Sequence, residues 1–285
     1  MASPEKDDVT GEHTTGHEWD GIKELNTPLP KWWVYTLYGC IVWAVIYSAF
    51  YPTYPLLSSY TKGYLGWSSR DDVANAIATA QAGRKVFTDK ISTLELGEVS
   101  KDPELFRYAM AGGESAFGDN CAPCHGSAAQ GSRGYPNLAD DDWLWGGTLE
   151  AIHTTIQHGI RGEDDDTRES DMPAFGNEDV LEQADIELVA DYVLSLSGTG
   201  EATTAGTELF ADNCAACHGD DGKGQPDVGA PNLADAIWLY GGGRDTIIET
   251  VTASRHGIMP AWTGRLDDVT IKQLALYVHS LGGGE

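Results

Sequence analysis

Cys121-Ala-Pro-Cys124-His125 and Cys214-Ala-Ala-Cys217-His218 are two copies of one pattern: paired cysteines about one helical turn apart, with a histidine directly after. That spacing lets both cysteines add across the vinyl groups of one haem as thioethers while the adjacent imidazole reaches the iron. C-x-x-C-H is the attachment site of a c-type haem. A shuffled chain of this composition would hold roughly 0.002 matches to the pattern. This chain holds two, using four of its five cysteines. Cys121, Cys124, Cys214 and Cys217 are thus the expected haem-binding residues, with His125 and His218 as proximal iron ligands and two covalently bound haem c groups as cofactors. A structural zinc site closes four ligands around one ion, whereas these pairs lie far apart and each brings its own histidine. A redox C-x-x-C belongs in a βαβ context, which nothing here resembles.

A second iron ligand is available to each haem. Met172 opens Met-Pro-Ala-Phe-Gly and Met259 opens Met-Pro-Ala-Trp-Thr-Gly; Met1 and Met110 are the other methionines. Thioether sulfur is a soft ligand, and His/Met ligation raises the potential of a cytochrome c iron. Methionines also fill gaps in ordinary cores, but a repeated motif downstream of each haem site favours the ligand role. Two six-coordinate irons leave no open position for substrate, so electron transfer is expected and no catalytic residue is assigned.

The elements that must position these residues come as an internal repeat. Phe117-Gly-Asp-Asn120 matches Phe210-Ala-Asp-Asn213, and Pro136-Asn-Leu-Ala-Asp140 matches Pro231-Asn-Leu-Ala-Asp235. Each of the latter precedes a tryptophan (Trp143, Trp238) and a Gly-Gly pair. His158-Gly-Ile160 matches His256-Gly-Ile258, and Asp191 to Leu196 matches Leu276 to Leu281. The acidic stretch from Arg161 to Asp171 has no counterpart in the second repeat. Each repeat reads as a helix ending at C-x-x-C-H, a Gly/Pro/Asn-rich loop, the methionine, and an amphipathic closing helix. Gly198 and Gly282 supply the stops. His158 and His256, just before the Met-Pro motifs, could contact haem propionates or be satisfied by hydrogen bonds. His153 and His279 lie in expected helices and are not assigned as ligands. Arg133, Arg161 and Arg168 are alternative propionate partners.

Upstream the character changes. No charged residue occurs from Trp32 to Thr61, and Trp33 to Tyr51 is apolar enough to span a bilayer as one helix. Aromatics gather at both ends, as in interfacial belts. Pro52 and Pro55 end the helix, and Cys40 within it reads as a small buried residue. A cleaved signal would need a basic leading region and a shorter apolar core, so an uncleaved anchor and an intact N-terminus are expected. The expected fold is all-α: one N-terminal transmembrane helix followed by two tandem cytochrome c domains. The divisions are a cytoplasmic segment at 1–31, the anchor at 32–55, a helical connector at 56–105, and haem domains at 106–198 and 199–285. Bacterial haem attachment takes place outside the inner membrane, which puts the haem domains in the periplasm.

Along nearly its whole length the chain resembles the dihaem subunit III of cbb3-type cytochrome c oxidases. The resemblance rests on Trp19 to Trp33, on Tyr51-Pro-Thr-Tyr-Pro55, on His158-Gly-Ile-Arg161 leading to Met-Pro-Ala-Phe-Gly, and on Arg255 to Glu285. It implies a respiratory-chain subunit of the bacterial inner membrane. Such a subunit takes electrons from a donor cytochrome c and passes them through a monohaem subunit II to the haem–copper subunit I, where oxygen is reduced and protons are pumped. It also implies that Pro136 and Pro231 accept the proximal imidazole N–H, and that the methionines are crossed, each binding the haem of the other repeat. Spacing alone leaves crossed and in-domain ligation both open. A stand-alone anchored dihaem carrier, a dehydrogenase's cytochrome subunit and a dihaem peroxidase share the haem motifs without needing the N-terminal signature. The formal charge of −26 fits either a solvated, self-repelling surface or steering of a basic donor, and it disfavours nucleic acid as a partner.

Overall fold

The computed structural model describes residues 5–284, which divide into two compact units, one up to Gly83 and one from Arg84 onward. The first unit opens with an antiparallel hairpin, β1 (Thr14–Trp19) and β2 (Ile22–Leu25), in which Trp19 faces Ile22 and Glu18 faces Lys23. This minor sheet is the one departure from the all-helical expectation. The strands are too short for sustained alternation, and the readable signal is Asp20-Gly21: both residues have positive φ, 49° and 85°. That is the backbone of a two-residue type I′ hairpin turn.

Helix α1 (Lys31–Phe50) follows. Its 20 residues span about 30 Å, the thickness of a bilayer's hydrocarbon core. The helix starts after Pro30 and ends where Tyr51 turns extended ahead of Pro52, as a residue before proline tends to do. No residue of α1 is buried by the rest of the chain. Cys40, expected to be buried, is therefore exposed, because the chain itself provides nothing to cover the helix. Helix α2 (Ser69–Thr93) comes next.

The second unit is helical: α3 (Leu96–Val99), α4 (Pro103–Asn120), α5 (Ala122–His125), α6 (Leu149–His158), α7 (Gln183–Leu196), α8 (Thr204–Asn213), α9 (Ala215–His218), α10 (Arg244–Ala253) and α11 (Asp268–His279). Side-chain caps fix several starts. The Asp102 carboxylate accepts from the backbone N–H groups of Glu104 and Leu105 ahead of α4, and Thr148, Thr203 and Asp267 cap α6, α8 and α11. Each cap satisfies a donor that the first turn leaves free.

Two apolar cores result, and they do not follow the sequence repeats. The first joins Leu105, Ala109 and Phe117 of α4 and Ile152 and Ile156 of α6 to Ile271, Leu274, Ala275 and Val278 of α11. The second joins Ile186, Val189, Ala190 and Val193 of α7 to Phe210 of α8 and Ile247 and Val251 of α10. The sequence places each closing helix within its own repeat; in the fold α7 packs on α8 and α10, while α11 packs on α4 and α6. The second core is thus assembled from chain lying inside the first. The short link from α7 to α8 keeps the two helices in contact, with Tyr192 tilted against Phe210 at 4.8 Å. Matched glycines admit the exchanged helices: a Cβ at Gly113 would sit 2.4 Å from the Gln273 carbonyl oxygen, and one at Gly206 would sit 2.7 Å from that of Leu188. Arg244 of α10 binds α7 through Asp191 at 2.6 Å and Glu187 at 3.6 Å.

Candidate haem sites

Each C-x-x-C-H sits on a one-turn helix that follows a long one after a break. Cys121 ends α4 and begins α5, and Cys214 does the same for α8 and α9. The His125 backbone N–H donates to the Cys121 carbonyl at 2.9 Å, and His218 N–H to that of Cys214 at 3.0 Å. This turn brings both cysteines and the histidine to one side. In each motif the first cysteine is more enclosed than the second: Cys121 is half-buried and Cys214 buried, whereas Cys124 and Cys217 are exposed. Burial, helped by the neighbouring cysteine, pushes the Cys121 and Cys214 thiols up to about 11.

Both imidazoles are held alike. His125 Nδ1 lies 3.0 Å from the Pro136 carbonyl oxygen, and His218 Nδ1 lies 3.0 Å from that of Pro231. A carbonyl only accepts, so Nδ1 carries the proton and Nε2 keeps its lone pair for a metal. Burial lowers the pKa of both rings, outweighing the opposing effect of the carbonyl. The neutral form that can ligate iron is therefore favoured.

The methionines divide between the cores. Met172, from the first repeat, packs on the second core, and Met259, from the second repeat, packs on the first. Met172 lines a cavity of about 670 Å³ together with Cys214, Cys217, His218 and Trp238. That volume lies in the range of small-molecule and cofactor pockets, and its donor set is the one a c-type haem needs. Backbone pairing fixes both loops. Ser254 Oγ donates to the Met172 carbonyl, tying that loop to the end of α10. Met259 and Ile160 exchange N–H···O bonds of 3.0 and 2.9 Å, tying the other loop to the end of α6.

The remaining sequence candidates separate. His158 Nδ1 is 2.9 Å from Asp164 of the acidic insertion, and His153 is half-buried on α6. His256 is exposed and, with Arg133 and Arg161, lines the same cavity. Arg161 is clamped by the carbonyls of Gly257 at 2.8 Å and Ser170 at 3.0 Å. Arg168 lies apart from that cavity, stacked on Trp145 at 5.1 Å. Sequence reasoning passed over Arg255, which lines the cavity above Tyr240. It also missed Asp142, whose carboxyl is pushed up to about 6 by burial and by Asp235, Asp140 and Asp141. Arg255 stands directly before His256-Gly-Ile258 and Asp142 closes the run Asp140-Asp141-Asp142, but neither has a charged counterpart in the other repeat.

Comparison with known proteins agrees along the chain. Residues 11–58 match the model of the N-terminal domain of cytochrome oxidase-cbb3, FixP, and residues 109–193 and 201–278 match that of cytochrome c oxidase, cbb3-type, subunit III. The chain is 54% identical to the cbb3-type cytochrome c oxidase subunit FixP of Bradyrhizobium sp. (strain ORS 278), over 99% of this chain and 98% of that one. It is 51% identical to the subunit CcoP of Azospirillum sp. (strain B510), with both chains covered in full. Against the subunit CcoP of Cereibacter sphaeroides it is 50% identical over 95% of each chain.

Proposed function

The chain belongs to the cbb3-type cytochrome c oxidase subunit III family, and from that membership we propose how its parts serve as the oxidase's membrane-anchored electron-transfer subunit. Cys121 and Cys124 hold one haem c and Cys214 and Cys217 the other, each through two thioethers. His125 and His218 supply the proximal nitrogens. Met259 would supply its sulfur to the iron at the first site and Met172 at the second, so each repeat would complete the other's iron. The observation that carries this reading is the shared cavity of Met172, Cys214, Cys217 and His218.

A bound haem c supplies an iron that takes up and releases one electron. The chain's own residues set the conditions for that exchange. The Pro136 and Pro231 carbonyls orient the imidazoles and raise their basicity, and the methionine sulfurs favour the reduced iron. Ile247 and Val251 line the cavity beside Met172 and His218 and would keep water from the metal there. Were His125 with Met259 and His218 with Met172 to hold the two irons, no position would be left for a substrate, and the chain would only carry electrons.

Helix α1 anchors the chain in the inner membrane with its N-terminus in the cytoplasm and the haem sites in the periplasm. Electrons enter from a donor cytochrome c and leave by way of a monohaem subunit II to the haem–copper subunit I, which reduces oxygen and pumps protons. Affinity purification of the full chain in mild detergent tests this directly. Recovery of a large haem–copper subunit is the expected result. Recovery of the chain alone, with both haems attached, would instead make it a free-standing carrier.

A further inference from the structure

Arg168 is half-buried and lacks a carboxylate partner among the described residues, in a chain with 44 acidic side chains. Its Nη2 donates to the Ala151 carbonyl at 3.2 Å, its guanidinium covers Trp145, and its Nε is buried without a hydrogen-bond partner among the described residues. A buried donor left unpaired is costly, so such an atom points to a ligand. The second repeat shows which ligand.

Trp145 and Tyr240 are equivalent positions, each directly before its Gly-Gly pair, and Ala151 and Thr246 are equivalent positions in α6 and α10. Arg255 lies 4.9 Å over Tyr240 and donates to the Thr246 carbonyl at 2.7 Å. Arg168 and Arg255 therefore occupy the same place beside α6 and α10, although they come from different parts of the sequence. Arg255 stands directly before His256, whereas Arg168 is brought back by the acidic insertion peculiar to the first repeat. Arg255 lines the cavity that holds Cys214, Cys217 and His218. The two differ in their neighbours. Arg255 Nε donates to Thr250 Oγ1 at 3.2 Å, and its Nη1 pairs with Glu249 at 2.7 Å. Arg168 has neither contact, and burial lowers its pKa with nothing opposing the shift.

We infer that Arg168 is the cationic partner of a carboxylate of the first haem, and that the insertion exists in part to restore the charge that Arg255 supplies at the second site. This rests on the haem assignment above. A guanidinium offers a planar fork of donors suited to a carboxylate, and a fixed positive charge at the haem edge favours the reduced iron.

The test is an equilibrium redox titration of the full-length, haem-loaded chain and its variants, with haem counted in the same preparations. Arg168→Gln is expected to shift one of the two haem waves roughly tenfold toward the oxidised form, which is 59 mV for one electron. Arg168→Lys, which keeps the charge, should stay within about threefold of the parent. Arg255→Gln should move the other wave. Two haems per chain with both potentials unmoved in Arg168→Gln, even if its melting temperature falls, would reduce Arg168 to a structural stack on Trp145 and overturn the inference. An equal shift in Arg168→Lys and Arg168→Gln would also overturn it, because charge would not be the cause. Fewer than two haems on the parent chain would instead sink the haem assignment on which the inference rests.

Discussion

Asp142 sits where ionisation is costly, half-buried and facing Asp235, Asp140 and Asp141. An unfolded aspartate titrates near 3.9, against about 6 here, so between those values the folded state holds more protons. The stability this group contributes is present below about pH 4 and is lost as pH rises through about 6. Asp142→Asn should therefore stabilise the protein at neutral pH by about 1 kcal/mol, after discounting the shift for solvent screening, and should leave it unchanged at pH 4. Melting curves of both proteins across that range check this. Curves that stay parallel would mean that Asp142 is not held protonated. At this scale the sequence singled out Met172, Cys214, Cys217 and His218, which the fold brings to one cavity, because C-x-x-C-H and Met-Pro recur with their neighbours. It did not show Asp142 or the shared place of Arg168 and Arg255, because that place is set by a carbonyl and an aromatic ring rather than by spacing.

Helix by helix, propensity and period identify where helices form but not what they pack against. The apolar stripe of α7 reads equally well for a partner in its own repeat or in the next, and the choice falls to the short α7–α8 link and to the glycines that admit the closing helices. Gly206→Ala should push α8 away from the Leu188 carbonyl and cost roughly 2 kcal/mol, as overpacking typically does. Gly113→Ala should act alike at α11. Unchanged melting temperatures would remove the close approach as a cause of the exchange. Lys272 of α11 gives a second handle. Its ammonium donates to the carbonyls of Ile91, Ser92 and Leu94 at 3.1, 3.2 and 2.7 Å, capping the end of α2 with a cation. Lys272→Met keeps the stem and removes those bonds, and should cost about 2 kcal/mol, with faster amide exchange at the end of α2. Exchange spread evenly over the second unit would argue against a local cap. The hairpin β1–β2 was legible only through Asp20-Gly21, since four to six residues are too few for a period to show.

Over the whole molecule, the excess of carboxylates makes self-repulsion the dominant long-range term. The Debye length falls from about 10 Å at 0.1 M salt to about 3 Å at 1 M, so the melting temperature should rise over that interval. Reduction by a basic donor cytochrome should meanwhile keep a nearly constant second-order rate. A rate that falls steeply with salt would mean that the acidic surface steers the donor. The nesting of one core within the other has its own consequence: under the proposed ligation, neither half of the sequence would contain a complete haem site. The measurement that bears most directly on this is an experimental map of the haem-loaded chain that resolves the axial ligands. The expected result is the Met172 sulfur on the iron of the haem held by Cys214 and Cys217, and the Met259 sulfur on the iron of the haem held by Cys121 and Cys124. Met172 on the iron above His125 would contradict it.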